Sequence, residues 1–81
     1  MERQELIATI NEALAKEFEV EESDITPVAN IKNTLHLDSL ALVDMVALIE
    51  SICKIKMTGT DISRITTFDD LYNLIYKQLN A

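Results

Sequence analysis

The stretch DSLALVDMVALIESIC, residues 38–53, decides the fold of this 81-residue chain. It is the most apolar helical run in the sequence, and beyond its first residue its only acids are Asp44 and Glu50. Asp38 suits the N-cap position, where a carboxylate accepts hydrogen bonds from the free N–H groups of the first helical turn. The pattern therefore predicts a helix from Asp38 to about Cys53.

A second helix is predicted upstream. Apolar residues recur at helical spacing on one stripe between Glu2 and Phe18: Leu6, Ile7, Ile10, Leu14 and Phe18. From Glu19 to Asp38 this periodicity disappears, and Pro27 would break a continuing helix. We expect a loop of about 20 residues, attached to the core by four apolar side chains: Ile25, Val28, Ile31 and Leu35.

Downstream of the central helix, Gly59 is the only glycine and predicts a turn between residues 54 and 60. We expect residues 60–65 to form one short helical turn, with Ile62 and Ile65 facing inward. Thr67 and Asp70 resemble a capping box, which predicts the start of a last helix. Its expected buried face is Phe68, Leu71, Leu74 or Ile75, and Leu79.

These elements predict an all-α fold without strands. We expect a small four-helix bundle with three main helices, one short third helix and a long loop between helices one and two. A chain of this length fits one domain, residues 1–81.

Composition narrows the classes of function. The formal net charge of −7 argues against nucleic-acid partners, whose phosphates would be repelled, and favours partner proteins with basic patches. Cys53 is the only cysteine, so no disulfide forms within the chain. The N-terminal residues lack a signal-peptide pattern, and no uncharged apolar run is long enough to span a bilayer. We expect a monomer in the cytoplasm.

Ser39 is the main candidate for chemistry. It stands at the start of the apolar helix, and the sequence offers one histidine and no metal-ligand cluster to activate it. We therefore predict no catalytic residue and no resident metal, and we interpret Ser39 as an attachment point modified by another enzyme. Asp38 beside it would help hold a divalent cation shared with a phosphate donor. The alternative is that both residues only begin a helix.

The central helix is apolar on more than one face, so it must bury two sides or offer one to a partner. Leu40, Val43 and Ala47 continue outward from Ser39 at helical spacing, with Asp44 alongside. The interior of the bundle would then receive Leu42, Met45, Val46, Leu48 and Ile49.

Over nearly its whole length the chain resembles the acyl carrier proteins. The resemblance includes the amphipathic first helix, the long loop with a proline, LHLDSL at residues 35–40, VALIE at residues 46–50 and ITTF at residues 65–68. It implies that Ser39 receives 4′-phosphopantetheine from coenzyme A through a phosphopantetheinyl transferase, with Asp38 assisting. It further implies acyl cargo carried as thioesters for fatty-acid, polyketide or related lipid synthesis, and docking of acyl-processing enzymes at family positions: Leu40, Val43, Asp44, Ala47 and Glu50.

The sequence departs from the family pattern in two places, and the second departure suggests a specialised rather than a housekeeping carrier. His36 replaces the glycine usual two residues before the aspartate, where it would crowd Ser39, add a titratable group or simply occupy a tolerant loop position. Housekeeping carriers also tend to be acidic where this chain has Ala41, Ser51 and Ile52.

Two other functions are compatible with the sequence. A peptidyl or D-alanyl carrier is the nearest alternative, and a non-carrier helical adaptor that docks through the apolar helix is the second. An adaptor would keep its function in Ser39→Ala, whereas a carrier would lose it completely. In an acyl carrier the cargo would enter the bundle, and the candidate lining residues are Met45, Ile49, Ile62 and Leu71, although we favour an ordinary core position for these four.

Overall fold

A computed structural model describes residues 2–80 of the chain. The helices are α1 (Arg3–Phe18), α2 (Ile31–Leu35), α3 (Ser39–Cys53), α4 (Gly59–Arg64) and α5 (Phe68–Leu79). A 3-10 turn covers Glu22–Asp24. The predicted all-α class is confirmed, and the described residues contain only one isolated bridge, between Asn30 and Thr67.

One apolar core lies between the helices. The predicted stripe of α1 supplies Leu6, Ile10 and Leu14, all fully buried, while Ile7 and Phe18 are half-buried against it. The other buried members come from α2, α3, α5 and the connections between helices: Ile25, Ile31, Leu35, Met45, Val46, Ile49, Cys53, Ile55, Met57, Phe68, Leu71, Tyr72 and Ile75. Leu79 was predicted to be buried, but 38% of it is exposed because it lies in the last residues of α5.

The connection between α1 and α3 is more ordered than the sequence predicted. It contains α2, and backbone hydrogen bonds fasten it to the segment before α5. The N–H of Ile31 donates to the carbonyl of Thr66 at 2.9 Å, and the N–H of Asp69 donates to the carbonyl of Pro27 at 3.0 Å. The prediction for Val28 was wrong: the side chain is 87% exposed, because these bonds hold Pro27 and Ile31 and leave Val28 at the bend between them.

Helix ends in this chain do not use glycine. The residues that follow α1, α2 and α3 (Glu19, His36 and Lys54) all have the left-handed backbone conformation, with φ near 55°. The turn after α3 is therefore made at Lys54. Gly59, predicted to mark this turn, is instead the first residue of α4 and has no positive φ.

Candidate functional site

Ser39 is the first residue of α3, and its side chain is exposed. Asp38 holds the N-cap position, with extended backbone, and the N–H of Ala41 donates to its Oδ1 at 2.8 Å. This confirms the predicted cap. Because the Asp38 carboxylate makes the capping hydrogen bond, the Ser39 hydroxyl is not needed as the cap. It lies beside backbone N–H groups at the positive end of the helix dipole.

The approach to Ser39 is set by the turn between α2 and α3. His36 takes the left-handed conformation there (φ 55°, ψ 48°), and the N–H groups of both His36 and Leu37 donate to the carbonyl of Lys32. The position favours glycine because of the backbone, since a Cβ raises the energy of this conformation. The imidazole is exposed, and no hydrogen bond joins it to Ser39 or Asp38 among residues 2–80.

The outward face of α3 matches the predicted strip. Leu40 is 78% and Val43 58% exposed, and Ala47 and Asp44 are also exposed. The opposite face buries Met45, Val46 and Ile49, with Leu42 and Leu48 half-buried. Leu40 and Val43 thus leave apolar surface open in one row next to Ser39, and contiguous exposed apolar surface is a feature of contact surfaces.

Glu50, at the far end of this row, has a structural contact of its own. Its Oε2 accepts the backbone N–H of Met57 at 2.8 Å, and the residue is half-buried. The carboxylate therefore stabilises the return of the chain after α3. Its predicted docking role stays a prediction, with one of its two oxygens already engaged.

A cavity of about 390 Å³ opens between α2, α4 and the first turns of α3. Its walls are Asn30, Ile31, Lys32, Leu42, Gly59, Ile62, Ser63, Ile65 and Thr66. Leu42 lies three residues after Ser39 on α3, so both side chains lie on the same side of the helix. Leu42 is thus the lining residue of the cavity that belongs to the same helix as Ser39.

Of the four candidate residues for lining the cargo site, only one lines the cavity. Ile62 borders the cavity, but Met45, Ile49 and Leu71 are almost completely buried in the core. Sequence periodicity missed the walls from Asn30, Lys32, Ser63 and Thr66, because these residues lie in short or non-periodic segments. Within residues 2–80 no cluster of three metal-ligand side chains is present, and no helix there has the length and apolarity needed to cross a membrane.

The fold defines the class of protein. The structure superposes on the acyl carrier protein of Enterococcus faecalis, studied for its high thermal stability, with a TM-score of 0.80. The match covers 96% of this chain and 99% of that one, at 23% sequence identity. The class is that of small helical bundles with the acyl carrier protein fold.

Sequence comparison identifies the family. Residues 6–75 match the family described as "Phosphopantetheine attachment site". The acyl carrier protein of Thermotoga maritima is 32% identical over 77 residues, 95% of each chain, and that of Rubrobacter xylanophilus is 28% identical over the full length of both. The chain belongs to the acyl carrier protein family, whose members are carriers and hold phosphopantetheine.

The described residues fit this group. Covalent attachment needs an accessible hydroxyl, and Ser39 supplies one at a helix N-terminus, where a phosphate is favoured by the dipole and by N–H donors. After Ser39 the next acid along α3 is Asp44, and the Asp38 carboxylate before it is engaged through Oδ1 with the N–H of Ala41.

Proposed function

We propose that this protein carries acyl groups as thioesters on a 4′-phosphopantetheine arm attached to Ser39. The observation that carries the proposal is the exposed Ser39 hydroxyl at the start of α3, inside the segment that matches the phosphopantetheine family. When bound, the group supplies a terminal thiol that forms the thioester. The protein's part is to present Ser39, dock its partners and shelter the cargo.

Asp38 has two roles in this proposal. Oδ1 caps α3, and Oδ2 remains available for the divalent cation shared with the transferase, since Mg²⁺ takes one or two carboxylates together with phosphate oxygens. Docking is assigned to the exposed row of Leu40, Val43 and Ala47, with Asp44 attracting a basic residue of the partner. Glu50 would serve only at the edge of this surface.

We further propose a specialised carrier that works as a monomeric single domain in the cytoplasm. Between Ser39 and Cys53 the exposed surface of α3 has few acids, and Lys54 and Lys56 follow it. Residues 2–24 instead hold eight of the 14 acids and two of the seven cations. A partner enzyme that recognises a strongly acidic helix would bind α3 less well. This favours a narrow set of acyl-processing enzymes for a particular pathway.

The decisive experiment is intact mass after incubation with coenzyme A, Mg²⁺ and a broad-specificity phosphopantetheinyl transferase. We expect one added phosphopantetheine in the wild type and none in Ser39→Ala. Ser51→Ala is the matched control, because Ser51 is also an exposed serine of α3, and it should be modified like the wild type. An unchanged wild-type mass with several transferases would favour a non-carrier helical adaptor.

The same assay separates the two roles of Asp38. Asparagine caps a helix about as well as aspartate, so Asp38→Asn should keep its stability while its rate of modification falls about tenfold or more. Asp38→Ala should lose the rate and also about 1 kcal/mol of stability. A normal rate in Asp38→Asn would restrict Asp38 to capping.

A further inference from the structure

The cavity beside α3 has an unexpected charge for so acidic a chain. The sequence has 14 Asp and Glu residues against seven Lys and Arg, yet Lys32 is the only charged residue among the nine that line the cavity. The one ion pair within residues 2–80 joins Arg3 to Asp69. Lys32 is therefore exposed at the rim without a carboxylate partner from this part of the chain.

The neutral polar residues of the cavity also offer donors. Oδ1 of Asn30 accepts the N–H of Asn33 at 3.0 Å, so the amide NH₂ of Asn30 is its free end. The backbone N–H and carbonyl of Thr66 are engaged with Asp70 and Ile31, which leaves the Thr66 hydroxyl. Beside Lys32, these groups form a side of the cavity suited to an acceptor with negative charge.

The remaining walls are apolar: Ile31, Leu42, Ile62 and Ile65. Leu42 lies on α3, three residues after Ser39, whereas Lys32 lies on α2. A ligand that fits both sides has an aliphatic segment and a separate anionic end. Burial of each methylene against the apolar walls favours binding, and the anionic end would gain a charge-assisted hydrogen bond.

We propose that the cavity selects an acyl cargo whose chain ends in a carboxylate, with Lys32 as the residue that determines this specificity. The proposal rests on the proposed function, because the cargo reaches the cavity from Ser39. The aliphatic part of the cargo packs against Leu42 and Ile62. Its carboxylate pairs with the Lys32 ammonium, beside Asn30 and Thr66.

The test compares two six-carbon cargoes that differ at the far end. The transferase loads the protein from hexanoyl-coenzyme A or from adipyl-coenzyme A, and intact mass confirms each product. We expect the adipyl form to melt about 2–4 °C above the hexanoyl form, the size expected for one partly exposed ion pair in a domain of this length. Amide signals of residues 30–32 and 62–66 should move further with adipyl cargo in two-dimensional NMR spectra.

Lys32→Met keeps most of the side-chain stem and removes the charge. In this variant the melting difference between the two cargoes should vanish. Lys77→Met is the matched control, because Lys77 is an exposed lysine of α5 outside the cavity, and it should keep the difference. A wild type that melts at the same temperature with both cargoes, or a difference that survives Lys32→Met, would overturn the proposal.

One further comparison separates the carboxylate of the cargo from the phosphate of the arm. If Lys32→Met lowers the melting temperature of the modified but unloaded protein as much as that of the adipyl form, Lys32 serves the phosphate and the cargo proposal is wrong. Failure of the proposed function looks different, since Ser39 would then gain no mass at all and both proposals would fall together.

Discussion

His36 shows how one residue can meet a backbone requirement at some cost. It ends α2 in the left-handed conformation, which glycine adopts freely and which residues with a Cβ adopt at a cost of roughly 1 kcal/mol. Histidine is among the side chains found there more often than most. The difference from the family pattern at this position therefore affects the backbone energy of the turn before Ser39.

We expect His36→Gly to raise the free energy of unfolding by about 0.5–1 kcal/mol, because relief of the left-handed strain exceeds the added entropy of the unfolded chain. Chemical denaturation measures it. Ser51→Gly, in the interior of α3, is the matched control and should lose a similar amount. A loss of stability in His36→Gly would show that the imidazole itself stabilises the turn.

At the scale of the element, α3 divides into a face that folds the domain and a face that does not. Met45, Val46 and Ile49 are buried, whereas Leu40 and Val43 are open to solvent. Substitutions on the open face should therefore leave stability nearly unchanged and alter partner binding.

Val43→Glu tests this division. We expect stability within about 0.5 kcal/mol of the wild type and a loss of about tenfold in kcat/KM for modification by the transferase, because a charge replaces an apolar contact. Val28→Glu is the matched control: Val28 is an even more exposed valine, but it lies outside α3. Equal effects of the two substitutions would contradict a docking surface on α3.

Helix α5 begins with a capping box. The Thr67 hydroxyl accepts the N–H of Asp70, and the Asp70 carboxylate accepts the N–H groups of Thr66 and Thr67. The backbone N–H of Thr67, followed by that of Thr66, lowers the pKa of Asp70 from its ordinary value of 3.8. The ionised carboxylate thus stabilises the fold above that value, and this contribution is lost as the pH falls through the lowered pKa.

Asp70→Asn should consequently cost about 0.5 kcal/mol at pH 7, a modest figure because the carboxylate is solvent-exposed. The difference from the wild type should disappear as the pH falls through the lowered pKa of Asp70. Denaturation at a series of pH values measures it. Thr67→Ala is the control: a hydroxyl does not titrate in this range, so its cost of about 1 kcal/mol should persist in acid. A pH-independent cost of Asp70→Asn would refute the electrostatic account.

At the scale of the whole molecule, α1 and α5 join the two ends of the chain. The Tyr72 hydroxyl donates to Oδ1 of Asn11, Arg3 pairs with Asp69 at 3.2 Å, and the Arg3 guanidinium lies over the ring of Tyr76. Burial, with a smaller contribution from the charge of Asp69, raises the pKa of Tyr72 above its ordinary value of 10.0. The neutral phenol is thus the form that the fold requires.

Tyr72→Phe removes the bond to Asn11 and should cost about 1 kcal/mol at pH 7. Because the folded pKa of Tyr72 is raised, its contribution is complete below about pH 10 and is lost as the pH rises through the folded value. The variant should therefore lose less stability than the wild type in strong alkali. Tyr76→Phe is the control, because it also removes a tyrosine hydroxyl from α5 and leaves the ring in place. The Tyr76 side chain is half-buried. Parallel alkaline curves for wild type and Tyr72→Phe would contradict the prediction.

Features that depend on neighbouring residues could be predicted from the amino-acid pattern. The cap at Asp38, the capping box of Thr67 and Asp70, and the buried stripe of α1 were all predicted and confirmed. Their physics is local, because a cap joins residues three apart and a helical stripe repeats every three or four. The exposed row beside Ser39 followed from the same periodicity.

The tertiary structure decided what depends on residues far apart in the chain. Backbone bonds from Pro27 and Ile31 to Asp69 and Thr66 order the long connection, and no local pattern encodes such a pairing. The same pairing brings Asn30 and Lys32 close to Thr66 in the lining of the cavity. A cavity is the space left between elements, so its position and charge follow from how the helices pack and cannot be read from any one of them.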